Sequence, residues 1–152
     1  MDQTDIDYMK VALFEAGEGA TGNEVPVGTV LVDGTGRILA QAHNRTISLP
    51  DPTGHAEILA LREAALVIGN YRLLNTTLYV TVEPCIMCMG AIVHARVSRV
   101  VFGAFDPKWG AGGSLYHFAQ DNRLNHRPEV VGGVCEDECK ALLQGFFRAK
   151  RG

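Results

Sequence analysis

At 152 residues, 47% hydrophobic and 20% charged, the chain has the proportions of one globular domain over residues 1–152, burying about two-thirds of the surface its unfolded form exposes. A formal charge of −3 argues against a uniformly basic nucleic-acid binder, and no apolar run approaches the ~18 residues that cross a membrane. Four cysteines behind an acidic, polar stretch from Met1 to Lys10, in place of a secretory leader, imply a soluble cytoplasmic protein whose thiols are free or metal-bound.

From Asp5 to about Gly17, Ile6, Met9, Leu13 and Ala16 recur at helical spacing, and Gly17, Gly19 and Gly22 are expected to close the helix. Val25 to Val32 and Arg37 to Ala42 flank Asp33-Gly34-Thr35-Gly36, which predicts a hairpin. A loop over Asn44 to Thr53 carries Pro50 and Pro52; Ile58, Leu61, Ala65 and Leu66 then mark a second helix ending near Gly69. Thr77 to Glu83 alternates as a strand does, stops at Pro84, and leads into a helix over Ile86 to Ala95 and a strand over Arg99 to Ala104. A strand-helix-strand crossover implies a parallel pair. After a long loop from Phe105 to about Arg127 come a short strand, Glu129 to Val134, and a last helix, Glu136 to Arg151. The expected fold is α/β, with a mixed sheet of about five strands covered by helices.

Two short segments carry chemistry: His55-Ala56-Glu57 and Pro84-Cys85-Ile86-Met87-Cys88, each at the start of a helix. Cysteines three apart turn their sulfurs to one side of a helical turn, and the N-terminal dipole favours the thiolate that binds metal. One imidazole and two thiolates make three ligands, the count of a catalytic zinc site that keeps its fourth position for water. Zinc lowers the pKa of bound water to ~7, and Glu57, two residues from His55, is close enough to move the proton. Such a site suits hydrolytic removal of an exocyclic amine from an aromatic ring. A Cys-x-x-Cys alone is also half of a structural knuckle or a redox pair. The remaining cysteines, Cys135 and Cys139, are four apart without a partner pair and read as free thiols.

The combination H-x-E followed by P-C-x-x-C matches the zinc deaminases. More narrowly, the chain resembles the bacterial tRNA-specific adenosine deaminases through Val25-Pro26-Val27-Gly28, Asp51-Pro52-Thr53-Gly54-His55-Ala56-Glu57-Ile58 and Asn70-Tyr71-Arg72-Leu73. Thr77 to Cys88, Val100 to Ala104 with Asp106, and Asn125-His126-Arg127 extend the likeness. The resemblance implies a cytidine-deaminase-like three-layer α/β/α fold, a homodimer, one zinc ion per subunit, and conversion of adenosine to inosine at the wobble position of a tRNA anticodon stem-loop. It implies zinc ligation by His55, Cys85 and Cys88, proton transfer by Glu57, and substrate contacts from Asn44, Ala56, Pro84 and Asp106.

Asn44 also reads as a turn residue capping its own loop, and Asp106 as the start of an Asp-Pro turn. Gly54 stands where the family usually has alanine, and Trp109 occupies a loop position where it either stacks on a base or covers the core or a dimer contact. Phe147, Arg148 and Arg151 read both as an RNA-holding tail and as an ordinary helix end, and Asn125 and Arg127 join them as candidate RNA contacts. Two rival functions remain at this point: a deaminase of free guanine or cytosine, and a non-catalytic zinc-stabilised RNA-binding protein.

Overall fold

The structure, a computed structural model, describes residues 2–151. The first helix, α1 (Gln3–Thr21), begins at Asp2, whose side chain accepts the Thr4 N–H, runs past Gly17 and Gly19, and ends with Gly22 as its C-cap, the last of the three glycines expected to close it. Close packing explains the difference. A Cβ at Gly19 would stand 3.1 Å from the His43 ring, and one at Gly28, which opens β1 (Gly28–Val32), would meet the Ala12 carbonyl oxygen at 1.9 Å. The helix therefore lies directly on the sheet and buries Met9, Ala12 and Ala16, which outweighs the modest helical cost of glycine.

β1 and β2 (Ile38–His43) form the expected hairpin, its turn closed by Asp33, which accepts N–H groups from Thr35 and Arg37. β1 starts later than the sequence suggests because Val27 N–H is turned back onto Val25 O in a three-residue turn. α2 (Ala56–Ile68) ends at Gly69, in the left-handed conformation at φ 77°. β3 (Thr77–Val82), α3 (Ile86–Ala95) and β4 (Arg99–Ala104) make the predicted parallel crossover. Pro84 stands two residues before α3, just ahead of its N-cap Cys85. A 3₁₀ turn at Phe118–Gln120 interrupts the long loop, and β5 is confined to Glu129–Val131 because Gly133, at φ 85°, bends the chain toward α4 (Glu136–Arg151).

The strand order is β2-β1-β3-β4-β5, with β1 antiparallel to both neighbours and β3, β4 and β5 parallel. Leu31, Leu78, Val80 and Phe102 pack on one face against Ala60 and Leu61 of α2 and Met89 and Ile92 of α3. Val30, Tyr79 and Val101 pack on the other face against Met9 and Ala12 of α1 and Cys139 of α4. Alternate residues of β3 thus enter two separate cores, which makes the three-layer α/β/α arrangement. Asp5, only 3% exposed, fastens α1 to the sheet: it accepts the Tyr79 hydroxyl at 2.8 Å and two Arg99 guanidinium N–H groups at 2.7 Å each. Among the described residues no helix is long and apolar enough to cross a membrane.

Since β2 and β3 both run opposite to β1, and β4 runs with β3, the carboxyl ends of β2, β3 and β4 share one edge of the sheet. Asn44, Cys85 and Asp106 follow those three ends in the chain. Open α/β sheets bind ligands at that edge.

Candidate active site

His55 and Cys85 are the N-cap residues of α2 and α3, so both helix N-termini converge at this edge. Nδ1 of His55 lies 3.7 Å from Cys85 Sγ and 3.4 Å from Cys88 Sγ, and the three ligand atoms fall within 4.8 Å of one another. Tetrahedral zinc, with bonds of about 2.3 Å to sulfur and 2.0–2.1 Å to nitrogen, separates such ligands by about 3.5 Å, so the observed spacings bracket what the ion requires. These residues fit one zinc ion. Among the described residues they form the one such group. Cys135 and Cys139 stay apart from it, the latter buried and its thiol pushed up to about 12 by that burial.

The thiol of Cys88 shares its proton with Cys85, which, with His55 close by, holds Cys85 down at about 4. The same sharing, reinforced by burial, raises Cys88. The interaction with Cys85 also raises His55. A cation in place of the shared proton satisfies both sulfurs as thiolates. Glu57, 4% exposed in the first turn of α2, is pushed up to about 7 by burial, and zinc at the three ligands would pull it back down.

A cleft of about 450 Å³ opens over this group, lined by His55, Glu57 and Cys85 together with Asn44, Asp106 and Trp109. Asn44 caps α2, its Oδ1 accepting the Ala56 N–H at 2.7 Å, while it lines the cleft. Asp106 lines it too, yet Oδ1 accepts the N–H groups of Lys108 and Trp109, as the Asp-Pro turn reading requires. Trp109 is 68% exposed at the rim, so it does not cover the core. Ala56 and Pro84 are behind the wall rather than in it: Ala56 is buried with its N–H given to Asn44 and its carbonyl accepting from Thr29, and the Pro84 carbonyl accepts from Ala111. Gly54 is tightly enclosed, since a Cβ there would come within 3.1 Å of Asp51 O and 3.2 Å of Arg45 O.

Phe147, Arg148 and Arg151 line a second depression with Lys108, the neighbour of Trp109. Asn125 and Arg127 are in neither hollow. They precede β5, whose parallel pairing with β4 sets its start at the opposite edge of the sheet, and His126 between them donates Nε2–H to Val97 O at 2.6 Å. Two buried carboxylates escaped the sequence reading. Glu24 accepts the Ile47 and Ser48 N–H groups, and Glu83 those of Asp106, Gly112 and Ser114, so each holds a loop beside the cleft. Position offered one signal: Glu83 directly precedes Pro84-Cys85 at the end of an apolar strand.

An α/β/α sandwich that gathers one imidazole and two sulfurs from two helix N-termini beside a buried carboxylate is the architecture of a zinc-dependent deaminase. The chain belongs to the cytidine and deoxycytidylate deaminase family, whose zinc-binding-region model matches residues 2–104. It is 51% identical over 147 residues to the tRNA-specific adenosine deaminase of Haemophilus influenzae, covering 97% of this chain and 85% of that protein. The tRNA-specific adenosine deaminase of Bacillus subtilis is 50% identical over 144 residues, covering 95% and 89%. A structure solved in a study of A-to-I editing by tRNA:A34 deaminases at the wobble position superposes with a TM-score of 0.87 at 44% identity, covering 90% of this chain and 99% of the other.

Proposed function

We propose that this chain is a cytoplasmic tRNA adenosine deaminase, one domain over residues 1–152, that converts adenosine to inosine at the wobble position of an anticodon. The observation that carries the reading is the convergence of His55, Cys85 and Cys88 with buried Glu57 in one cleft, in a chain so similar to two tRNA-specific adenosine deaminases.

Zinc, when bound, supplies the Lewis acidity that makes hydroxide available at neutral pH. Glu57 takes a proton from water as the oxygen bonds to adenine C6 and returns it to ring N1. The second proton passes through the same carboxylate to the exocyclic nitrogen, which leaves as ammonia while the oxygen stays on C6 of inosine. Asn44, its oxygen committed to Ala56, offers its amide N–H groups to the nucleoside. A base buried in this cleft must already be out of its stack, which an anticodon loop supplies at low cost. Trp109 then stacks a neighbouring base, and Lys108, Arg148 and Arg151 around Phe147 receive phosphates of the stem-loop.

A homodimer fits the same molecule. Ile58, Leu61, Met87 and Ala91 line an apolar groove of about 470 Å³ between α2 and α3 together with exposed Tyr71, which also lines an adjoining hollow with exposed Leu66. A second copy packing there would rest on the two helices that carry the metal ligands.

The test is incubation with an anticodon stem-loop bearing adenosine at the wobble position, beside free guanine and cytosine, with metal analysis and sizing. Inosine in the RNA is expected, with one zinc per chain; chelation should abolish activity and added zinc restore it. Glu57→Gln should keep its zinc while the rate falls about 10²–10⁴-fold. Turnover of a free base with none of the RNA would transfer the assignment to a small-molecule deaminase, and an unaffected Glu57→Gln would leave a zinc-stabilised binding protein.

A further inference from the structure

The segment from Phe105 to Tyr116 supplies one wall of the cleft, and a single buried side chain is placed to hold it. Glu83 is 3% exposed, one residue beyond the end of β3 and two before Cys85, and its own N–H donates to Ala104 O at 2.8 Å, extending the β3/β4 pairing. Its Oε1 accepts the Asp106 N–H at 3.0 Å and the Ser114 hydroxyl; its Oε2 accepts the Gly112 N–H at 3.0 Å and the Ser114 N–H at 2.9 Å. No cation pairs with this carboxylate among the described residues. A buried acid so placed is costly unless hydrogen bonds replace its hydration, and here all four come from one loop.

The loop is shaped to reach it. A Cβ on Gly110 would lie 2.4 Å from Glu83 Cδ and Oε2, and one on Gly112 would lie 3.2 Å from Glu83 Cγ, so glycine at both positions lets the backbone close on the carboxylate. Gly110 also forms an isolated antiparallel bridge with Cys85, and Ala111 N–H donates to Pro84 O at 2.8 Å. Asp106 and Trp109, the two residues this loop contributes to the cleft, are therefore tied through Glu83 to the turn that carries the first metal-ligating cysteine.

We propose that Glu83 is a positioning residue for substrate: by accepting hydrogen bonds across residues 106–114 it fixes Asp106 and Trp109 over the cleft before substrate arrives. Fixing a wall in advance removes the cost of ordering it on binding, so the effect belongs chiefly to substrate affinity. The inference rests on the deaminase reading only for its kinetic part.

The chain's single tryptophan is Trp109, so its fluorescence reports on this loop without any substrate. In Glu83→Gln an amide N–H₂ replaces one acceptor oxygen and faces N–H donors. The expected result is more efficient acrylamide quenching of Trp109, unchanged zinc content, a KM for the stem-loop raised about 10- to 100-fold, and kcat changed less than about threefold. Gly110→Ala pushes the same loop off an intact carboxylate and should reproduce these changes, and the double variant should be less than additive. Ser114→Ala, at an exposed position, keeps the N–H bond and removes the hydroxyl; it gives a smaller shift in the same direction and serves if Glu83→Gln does not fold. Unaltered Trp109 quenching and KM in a folded, zinc-loaded variant would overturn the proposal, as would a fall in kcat alone, which would mean that Glu83 acts on the metal turn. Should the wild-type chain leave the stem-loop unreacted, the functional reading fails while the quenching comparison still decides the role of Glu83.

Discussion

The amide of Asn44 meets α2 through its oxygen, which accepts the Ala56 N–H at 2.7 Å, and the residue faces the cleft as well. Replacement separates these two contributions. Asn44→Ala removes the cap and should cost about 1 kcal/mol in urea unfolding, together with a large part of the activity. Asn44→Asp keeps an acceptor for Ala56 and should recover most of the stability. It should not recover the rate of inosine formation, because a carboxylate cannot donate to the nucleoside and adds negative charge beside Glu57. Full recovery of rate in Asn44→Asp would show that the cap is all the residue does. The same duality explains which site residues were readable in advance. Metal chemistry restricts residue type and spacing so tightly that His55, Cys85 and Cys88 stand out from sequence. Asn44 and Asp106 were ambiguous because each lines the cleft while its side-chain oxygen is engaged by main-chain N–H groups, that of Asn44 at the start of α2 and that of Asp106 in its own turn. Glu24 and Glu83 were missed because their partners, chiefly main-chain N–H groups, are more than twenty residues away, and only the place of Glu83 beside Pro84-Cys85 hinted at a role.

Among the elements, types and order were legible and several ends were not. Periodicity, β-branched runs and turn residues mark which segments face a core, and the four α-helices and five strands among the described residues agree with them in type and order. Their ends depend on packing instead: α1 continues through Gly17 and Gly19 because the sheet accepts it there, and β5 stops early because Gly133 turns the chain. What joins α1 to the sheet is equally a tertiary matter. The Arg99 guanidinium on Asp5, helped by the Tyr79 hydroxyl, holds the Asp5 carboxyl below its usual value of 3.8. Asp5 thus releases its proton more readily when folded, and its contribution to stability is complete above the unfolded value and fades as pH falls through the lowered folded one. Comparing wild type with Asp5→Asn by denaturant unfolding, the gap should be constant from about pH 5 to 8 and narrow below about pH 4. A gap independent of pH down to 2 would mean that the asparagine loses packing alone. Arg99→Lys should also destabilise, since an ammonium cannot make the two parallel bonds at 2.7 Å.

Taken as a whole the molecule carries a net charge of −3, yet the proposed substrate is a polyanion, and the distribution of charge resolves the conflict. α4 begins with Glu136, Asp137 and Glu138 and ends with Arg148, Lys150 and Arg151, an order that suits its dipole and concentrates cations at one end. Lys150 is engaged elsewhere, its Nζ 2.9 Å from Asn23 Oδ1 and over the Phe146 ring. Arg148 and Arg151 share a hollow with Lys108, which joins them to the rim of the cleft at Trp109, and among the described residues none of the three forms an ion pair. Each phosphate neutralised by such a group contributes about 0.7–0.9 to the slope of log K against log salt. Replacing all three by glutamine should therefore flatten that slope by about 2–3 for the stem-loop, weakening binding most at low salt. The rate at saturating RNA and the zinc content should change little, because none of the three reaches the metal group. An unchanged slope would move the phosphate-binding surface away from α4 and leave the cleft itself, with Trp109, as the whole of the RNA contact.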